Sequence, residues 1–524
     1  MNVWLPLLFS IMMVLGMLIG YKMRDAMPNR NFFSIEKKSS IQEITDLLNA
    51  RYVDPLDIKK ITDTAIQAIL SKLDPHSVFI PAQDLDAINE DIKGSFYGIG
   101  VEYGMINDSL NIIHIVDNGP AKIAGVQIGD IILKADDSLI SGIKIKPEKI
   151  RTLLRGEKGS NVNLSILRNG KTQILKVGRG NIPLTSLDAA YMLDNTTGYI
   201  KLNKFSSETY KEFMNGLLTL KKLKMTSLVL DLRGNGGGVL DEATEIADEL
   251  LAGDKLITYT EGLHHPKKEY RCRREGQFET GKVIVLADEG SASASEVLMG
   301  ALQDWDRATI IGRRSFGKGL VQEQYDLSDQ SALRLTVARY YTPIGRSIQR
   351  TYKNGSKAYR AEITNRITNG EMVTADSVKN DTTKAYKSQA GKKLYGGGGI
   401  TPDYFIAADT ANIGSLSAKI YLKGSLNDFG YKYYRLNALA LLPYKTAPQF
   451  VKEFKISTND WQYFEGIASK DSINLKNIKQ TEKVFIEQVL KASIARQLFK
   501  TEGYTEVLNE NDACLKKALE IIKQ

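Results

Sequence analysis

Three serines alternate with alanines in Gly290-Ser291-Ala292-Ser293-Ala294-Ser295-Glu296, and a lysine follows in Ser315-Phe316-Gly317-Lys318-Gly319. A serine hydroxyl is a poor nucleophile near neutral pH, so some group must take its proton. An amine does this when a desolvated pocket holds it neutral, because burial disfavours the ammonium form and lowers the lysine pKa. Serine and lysine together are a candidate pair for acyl transfer without histidine. Spacing alone does not choose among Ser291, Ser293 and Ser295. Gln322 lies four residues beyond Lys318, and on a strand Lys318, Leu320 and Gln322 would share one face.

Other chemistries fit the residues poorly. Gly312 to Gly319 nearly spells the phosphate-binding pattern G-x-x-x-x-G-K-[ST], but Gly319 stands where the magnesium-binding hydroxyl belongs. The run Leu320 to Leu327 also reads as a strand, not as the helix whose N-terminus would hold phosphate. The four histidines, His76, His114, His264 and His265, lack the i, i+4 spacing of a zinc peptidase, and the adjacent pair His264 and His265 reads as an exposed turn. Cys272 and Cys514 belong to no metal-spaced cluster, and a disulfide between them is not expected. No cofactor or metal is called for. The formal charge of +9, from 70 basic and 61 acidic side chains, is spread along the chain without an aromatic-interleaved stripe, so nucleic acid is not an expected partner.

The elements that must position these residues follow from periodicity. At 524 residues, 43% hydrophobic and 25% charged, the chain is an ordinary folded protein of roughly two to four domains. Beyond Gly180 strands alternate with helices: strands at 198–202, 227–232 and 282–286, helices at 207–223, 240–251 and from the serine cluster to Leu302. That order predicts an α/β core with a partly parallel sheet, whose site lies past the strand C-termini. Both Arg233-Gly234-Asn235-Gly236-Gly237-Gly238 and the serine cluster fall there. Upstream, amphipathic helices are predicted at 40–51, 56–73 and 82–92, broken by Asp74-Pro75-His76-Ser77. From about Phe96 the period becomes two, and Asn169-Gly170 marks a tight hairpin between 162–167 and 171–177. Residues 352–395 read as a solvated polar insertion, and beyond about 410 the chain reads as helical.

The first segment differs. Val3 to Tyr21 carries no charge over 19 residues, enough to cross a bilayer, and the bulky, basic Tyr21-Lys22-Met23-Arg24 favours an uncleaved anchor over a cleaved signal. Lys22 and Arg24 on the C-terminal flank would keep the following domain in the cytoplasm by the positive-inside rule.

From Phe96 to Asp403 the chain resembles the carboxy-terminal processing, or tail-specific, proteases, which join a PDZ domain to a serine-lysine peptidase core. The resemblance rests on Asp74-Pro75-His76-Ser77 just upstream, Gly98-Ile99-Gly100-Val101, Asp231 to Gly238, Gly290 to Glu296, Gly317-Lys318-Gly319 with Gln322, and Tyr341-Thr342-Pro343 with Gly345. It implies Ser293 as nucleophile, Lys318 as base and Gln322 as the group that orients the amine. Main-chain N–H groups of Gly237 or Gly238 and of Ala294 would then hold the oxyanion; Gly236 stands where relatives often carry proline. Gly98, Ile99, Gly100 and Val101 match the PDZ loop that receives a peptide's terminal carboxylate while the peptide adds as a strand. Asp304 matches an acidic position of the family, with a surface role or pairing to Arg307 as alternatives, and Arg179 could link the PDZ domain to the protease site.

The resulting expectation is an α/β peptidase core of mixed sheet and flanking helices, plus a β-rich PDZ domain, an N-terminal helical segment and a C-terminal helical domain. Its boundaries are 1–24 for the anchor or signal, 25–95 for linker and helices, 96–180 for PDZ, 181–408 for the core and 409–524 for the C-terminal domain. Implied partners are protein or peptide substrates with free C-termini and, through the N-terminal segment, a membrane; a homo-oligomer is left open. The resemblance places the catalytic part in the periplasm or otherwise outside the cytoplasm, against the flanking charges, and that placement is the one adopted. The alternative function is a proteolytically silent PDZ adaptor that presents tails to another protease.

Overall fold

Two packed faces of one sheet organise the catalytic half of the computed structural model. The structure describes residues 4–26, 39–378, 384–409 and 414–524. The sheet has six strands in the order Leu187–Met192, Thr197–Leu202, Ser227–Asp231, Lys282–Ala287, Ala308–Gly312 and Tyr404–Phe405. The first pair is antiparallel and every later pair parallel. Ser227–Asp231 is buried at all its positions, as a strand covered on both faces must be.

One face, carrying Leu228, Leu230, Val283 and Val285, is covered by the helices Thr209–Lys222, Leu240–Leu250 and Ala294–Asp304. The other, carrying Val229, Ile284 and Leu286, packs against Cys514, Leu515 and Ala518 of the last helix, Ala513–Lys523. That helix therefore completes the peptidase core, although periodicity assigned it to a separate domain. Alternation along Ser227–Asp231 supplies the two apolar faces, but only the assembled chain shows what covers the second. Cys272 and Cys514 are free buried thiols.

A second, antiparallel sheet holds Leu320–Asp326 and Ala332–Tyr341 together with Leu256–Gly262, His265–Arg271 and Val78–Ile80. The short strand Val78–Ile80 follows Asp74-Pro75-His76-Ser77, so this upstream segment is built into the catalytic half. The PDZ domain is a six-stranded sheet from Val101–Ile106 to Lys171–Gly178, with the helices Pro120–Ile123 and Pro147–Leu154. Asn169 and Gly170, with φ of 49° and 78°, make the tight turn that the sequence predicts. A ribbon of Ser95–Gly98 with Gly180–Pro183 brings the entry and exit of this domain together.

Five further helices, from Ser415–Lys423 to Gln480–Asn509, share a core of Phe429, Phe450, Phe464 and Leu490. The longest bends at Phe499 and Lys500 and touches both neighbours. Arg496 pairs with Glu102 of the PDZ domain at 3.0 Å, and Lys500 pairs with Asp117. Past the bend, Glu502 accepts the Ala190 N–H at 3.0 Å, and Asn509 donates to Tyr191 Oη at 2.7 Å.

The polar segment 352–395 is not uniformly solvated. Its helix Gly355–Thr368 buries Tyr359 and Arg366, and Arg366 donates to the Ser315 carbonyl at 2.7 Å and the Phe316 carbonyl at 3.3 Å. Polar composition hid this because the buried surface is ionic: Arg314, Arg350 and Arg366 interlock with Glu362 and Glu371.

The chain from Met1 to Ala68 forms a separate unit. Leu5–Lys22 is an apolar helical stretch of 18 residues with mean hydropathy 1.8, long enough to cross a membrane. Ser40–Arg51 follows, its N-terminus capped by the Ser39 hydroxyl.

Asp304, at the end of the helix Ala294–Asp304, is fully buried and pairs with the equally buried Arg346 at 2.6 Å. Arg307, the partner considered from sequence, instead donates to the carbonyls of Leu250, Phe278 and Gly281. Removing one partner of a buried pair strands the other charge, so Asp304→Ala should lose about 3–5 kcal/mol of unfolding free energy in urea titrations. A loss within about 0.5 kcal/mol, the range of an ordinary surface change, would refute that account.

Candidate active site

Ser293 stands at the turn between the strand Lys282–Ala287 and the helix Ala294–Asp304, with φ 56° and ψ −116°. For a residue with a Cβ this conformation costs roughly 1–3 kcal/mol, so the surrounding structure must enforce it. The alternating alanines and serines do so by packing: Ser291 and Ser295 are fully buried, and their hydroxyls donate to the carbonyls of Leu232 at 2.8 Å and Asn235 at 2.9 Å. Of the three serines, Ser293 alone lines the large cleft of about 1080 Å³ that also contains Lys318.

Glu296, three residues past Ser293, is fully buried and holds the two chemical loops together. One carboxylate oxygen accepts the N–H of Ser293 at 2.9 Å and of Lys318 at 2.8 Å. The other accepts the Gly317 N–H at 2.7 Å and the Ser315 hydroxyl at 2.5 Å. Burial raises the Glu296 pKa, and these donors oppose that rise by stabilising the carboxylate. The Tyr340 hydroxyl adds a second tie, lying 2.9 Å from the Ser293 carbonyl and also against that of Lys318.

Lys318 precedes the strand Leu320–Asp326, and the extra residue of the register shift beside Val321 and Gln322 falls on the partner strand, at Val337. Lys318 and Gln322 meet as their spacing along a strand predicts: the Lys318 amine donates to the Gln322 side-chain carbonyl at 2.9 Å. The Gln322 amide donates in turn to the His76 main-chain carbonyl. Burial, and then the charge of Arg334, holds the Lys318 pKa below its ordinary range. Arg334 lines the same cleft and bonds the Gln324 side-chain carbonyl at 3.1 Å. Both effects favour the neutral amine over the ammonium form.

The glycine run sits against the nucleophile turn. A Cβ on Gly237 would lie 2.7 Å from the Ser293 Cβ and 2.9 Å from the Ala294 nitrogen, so only glycine allows this approach. The Gly237 N–H is donated to the Asn235 side chain at 2.9 Å. Of the two glycine donors that the sequence left open, Gly237 is therefore already bonded in this structure. The N–H groups of Gly238 and Ala294 have no partner among the described residues.

In the PDZ loop, the Ile99 carbonyl accepts the Ala121 N–H at 2.8 Å and the Gly100 carbonyl that of Val116 at 3.0 Å, while Gly98 pairs with Gly180. Val101 opens the strand Val101–Ile106, an edge of the PDZ sheet as described. Arg151 and Arg155, at the end of the helix Pro147–Leu154, line the catalytic cleft. Arg179 stays within the PDZ domain, donating to the carbonyls of Leu153 at 2.8 Å and Asn161 at 2.9 Å.

Comparison with known proteins matches residues 196–355 to peptidase family S41, residues 98–178 to the PDZ domain, and residues 416–500 to a family of unknown function. A carboxy-terminal-processing protease of Bartonella bacilliformis is 35% identical over 313 residues, covering 59% of this chain and 71% of the relative. The chain belongs to the carboxy-terminal processing protease family. Carboxy-terminal processing protease CtpB of Bacillus subtilis is 33% identical over 315 residues, 59% of this chain and 65% of that protein. A solved photosystem II D1 C-terminal processing protease aligns at 29% identity over 59% of this chain and 84% of its own, with a TM-score of 0.35. This carboxy-terminal processing protease is a serine-type peptidase with a PDZ domain.

Sequence reasoning gave no role to Glu296, Arg334 or Arg366 in this processing protease. For Glu296 a signal existed: Ser293-x-x-Glu296 is the spacing of a capping box at a helix start. Arg366 has a local partner in Glu362 four residues earlier, but its bonds to the Ser315 and Phe316 carbonyls, like the approach of Arg334 to Lys318, join different elements and leave no local signal.

Two titrations follow from the charges at this site. Arg334→Gln removes a positive neighbour, so the Lys318 amine should protonate at a higher pH, read by NMR of labelled lysine side chains. A downward movement would contradict the assigned cause. His76 is lowered from 6.5 to about 4, first by burial and then by the charge of Lys318. Above pH 6.5 the imidazole is neutral folded and unfolded; as pH falls toward about 4 only the unfolded chain takes up the proton, so stability is lost across that window. His76→Gln should flatten that part of the stability curve in urea unfolding series.

Proposed function

We propose that this protein cleaves polypeptides near their C-termini by an acyl-enzyme route in which Ser293 is the nucleophile and Lys318 the general base. The observation that carries the reading is the Lys318 amine, desolvated, depressed in pKa and hydrogen-bonded to Gln322 in the cleft that Ser293 lines. Ser293 Oγ attacks the scissile carbonyl carbon as Lys318 takes its proton. The tetrahedral oxyanion receives the N–H groups of Gly238 and Ala294, a stabilisation for which each donor is typically worth roughly 2.7–4 kcal/mol. Collapse breaks the peptide bond, and the ammonium of Lys318 returns the proton to the leaving amine. Water then releases the acyl group, with Lys318 again as base. Gln322 keeps the amine aimed throughout.

Substrate choice is assigned to the PDZ domain. The tail's terminal carboxylate is received at the Gly98-Ile99-Gly100-Val101 loop, and its main chain adds to the edge strand Val101–Ile106. The apolar helix near the N-terminus anchors the protein, with the catalytic part outside the cytoplasmic membrane.

Ser293→Ala and Lys318→Ala should each lower hydrolysis of an unstructured protein by on the order of 10⁴-fold or more. Lys318→Arg should fail equally, since a guanidinium does not become neutral. Retained turnover in any of the three would end the serine-lysine reading. Amidation of the substrate's C-terminus should raise KM; an unchanged KM would remove the PDZ assignment. A reporter fused after Gln524 should be active only in its exported form, and cytoplasmic activity would reverse the topology.

A further inference from the structure

The turn at Asp74-Pro75-His76-Ser77 lies outside both the nucleophile and lysine loops, yet it reaches the lysine through a continuous chain of hydrogen bonds. Asp74 is buried, and its carboxylate accepts the N–H of His76 at 2.8 Å and of Ser77 at 2.9 Å, and the Ser77 hydroxyl at 2.5 Å. It also accepts the Thr336 hydroxyl at 3.1 Å, and Thr336 is the cross-strand partner of Gln322. The Thr336 N–H donates to the Ser77 hydroxyl at 3.1 Å, and Val78–Ile80 continues the attachment by pairing with Ala332–Tyr341. The turn is thus bolted to the strand that faces Gln322. With the His76 imidazole drawn to the Tyr359 hydroxyl at 2.8 Å, the His76 main-chain carbonyl accepts the Gln322 amide.

An amide side chain has a donor end and an acceptor end, and fixing one fixes the other. We infer that Asp74 is a positioning residue for catalysis: by holding the turn that presents the His76 main-chain carbonyl, it orients Gln322 so that its carbonyl, and not its NH₂, meets the Lys318 amine. Without that acceptor Gln322 is free to rotate, and an NH₂ turned toward the neutral amine would occupy the lone pair that must take the serine proton. Asp74 touches neither substrate nor reacting atoms. The inference rests on the serine-lysine reading above.

The test compares Asp74→Ala, Asp74→Asn, Gln322→Ala and the double variant Asp74→Ala/Gln322→Ala in the full chain, with an unstructured protein substrate bearing a free C-terminus. Asp74→Ala should lower kcat by up to about 100-fold, the scale of a misplaced catalytic group, with KM little changed. Asp74→Asn still accepts from the His76 and Ser77 N–H groups, so it should recover most of that loss. In the Gln322→Ala background the Asp74→Ala change should cost almost nothing more, because both act through one side chain. A purely structural role would instead multiply the two losses. If Asp74→Ala does not fold, Thr336→Val, which removes one anchor of the same carboxylate, takes its place in the cycle. Unchanged kcat, multiplicative losses, or no recovery in Asp74→Asn would each overturn the inference. Lys318→Ala in the same assay separates the two levels: activity there ends the serine-lysine reading, while an inactive Lys318→Ala beside a fully active Asp74→Ala ends only this inference.

Discussion

A single buried carboxylate ties the two halves of the candidate chemistry to each other. Glu296 takes the main-chain N–H of Ser293 on one side and those of Gly317 and Lys318 on the other. The turn after Lys282–Ala287 and the loop that leads from Ala308–Gly312 into Leu320–Asp326 therefore share one acceptor, and the relative position of serine and lysine does not depend on long side chains alone. The arrangement also accounts for the backbone at Ser293, where an unfavourable φ is held by bonds at the turn itself. A carboxylate at the first turn of a helix is further favoured by the helix dipole.

Around this clamp the lysine loop is secured from several directions. Phe316 donates its N–H to the Ser291 carbonyl at 2.9 Å, Arg366 binds the carbonyls of Ser315 and Phe316, and the Arg350 guanidinium stacks 4.0 Å from the Phe316 ring. The consequence is chemical. The packing that secures the loop also buries the amine, and burial is the first cause of its lowered pKa.

The C-terminal helical domain has no candidate chemistry but has a structural consequence. Its long helix contacts the PDZ domain through Arg496 and Lys500 and the peptidase sheet through Glu502 and Asn509, while Asp512 pairs with Arg233 at 2.6 Å. Arg233 also pairs with the buried Asp231 at 2.6 Å, at the strand end that leads into the glycine run. The domain thereby links the PDZ edge to the base of the glycine loop. The two pairs to the PDZ domain, Arg496 with Glu102 and Lys500 with Asp117, lie on exposed side chains, and salt weakens such pairs.

Much of this was readable from residue order. Period-two and helical patterns located the strands and helices of the core within a few residues, because each element must present an apolar face to survive. Asn169-Gly170 announced its hairpin through the need for positive φ, and the ordered motifs announced the family. Sequence alone did not separate Ser291, Ser293 and Ser295, since all three have the same side chain at similar spacing; tertiary packing did, by burying the outer two on main-chain carbonyls. Likewise Asp74 meets Thr336, Arg346 meets Asp304 and Arg366 meets the Ser315 carbonyl, each far along the chain, and such a partner has no local signature. Local pattern determined which elements form because it acts over one or two turns; the long-range pairing of charges and the lowering of the Lys318 pKa by burial were decided only when distant segments packed together.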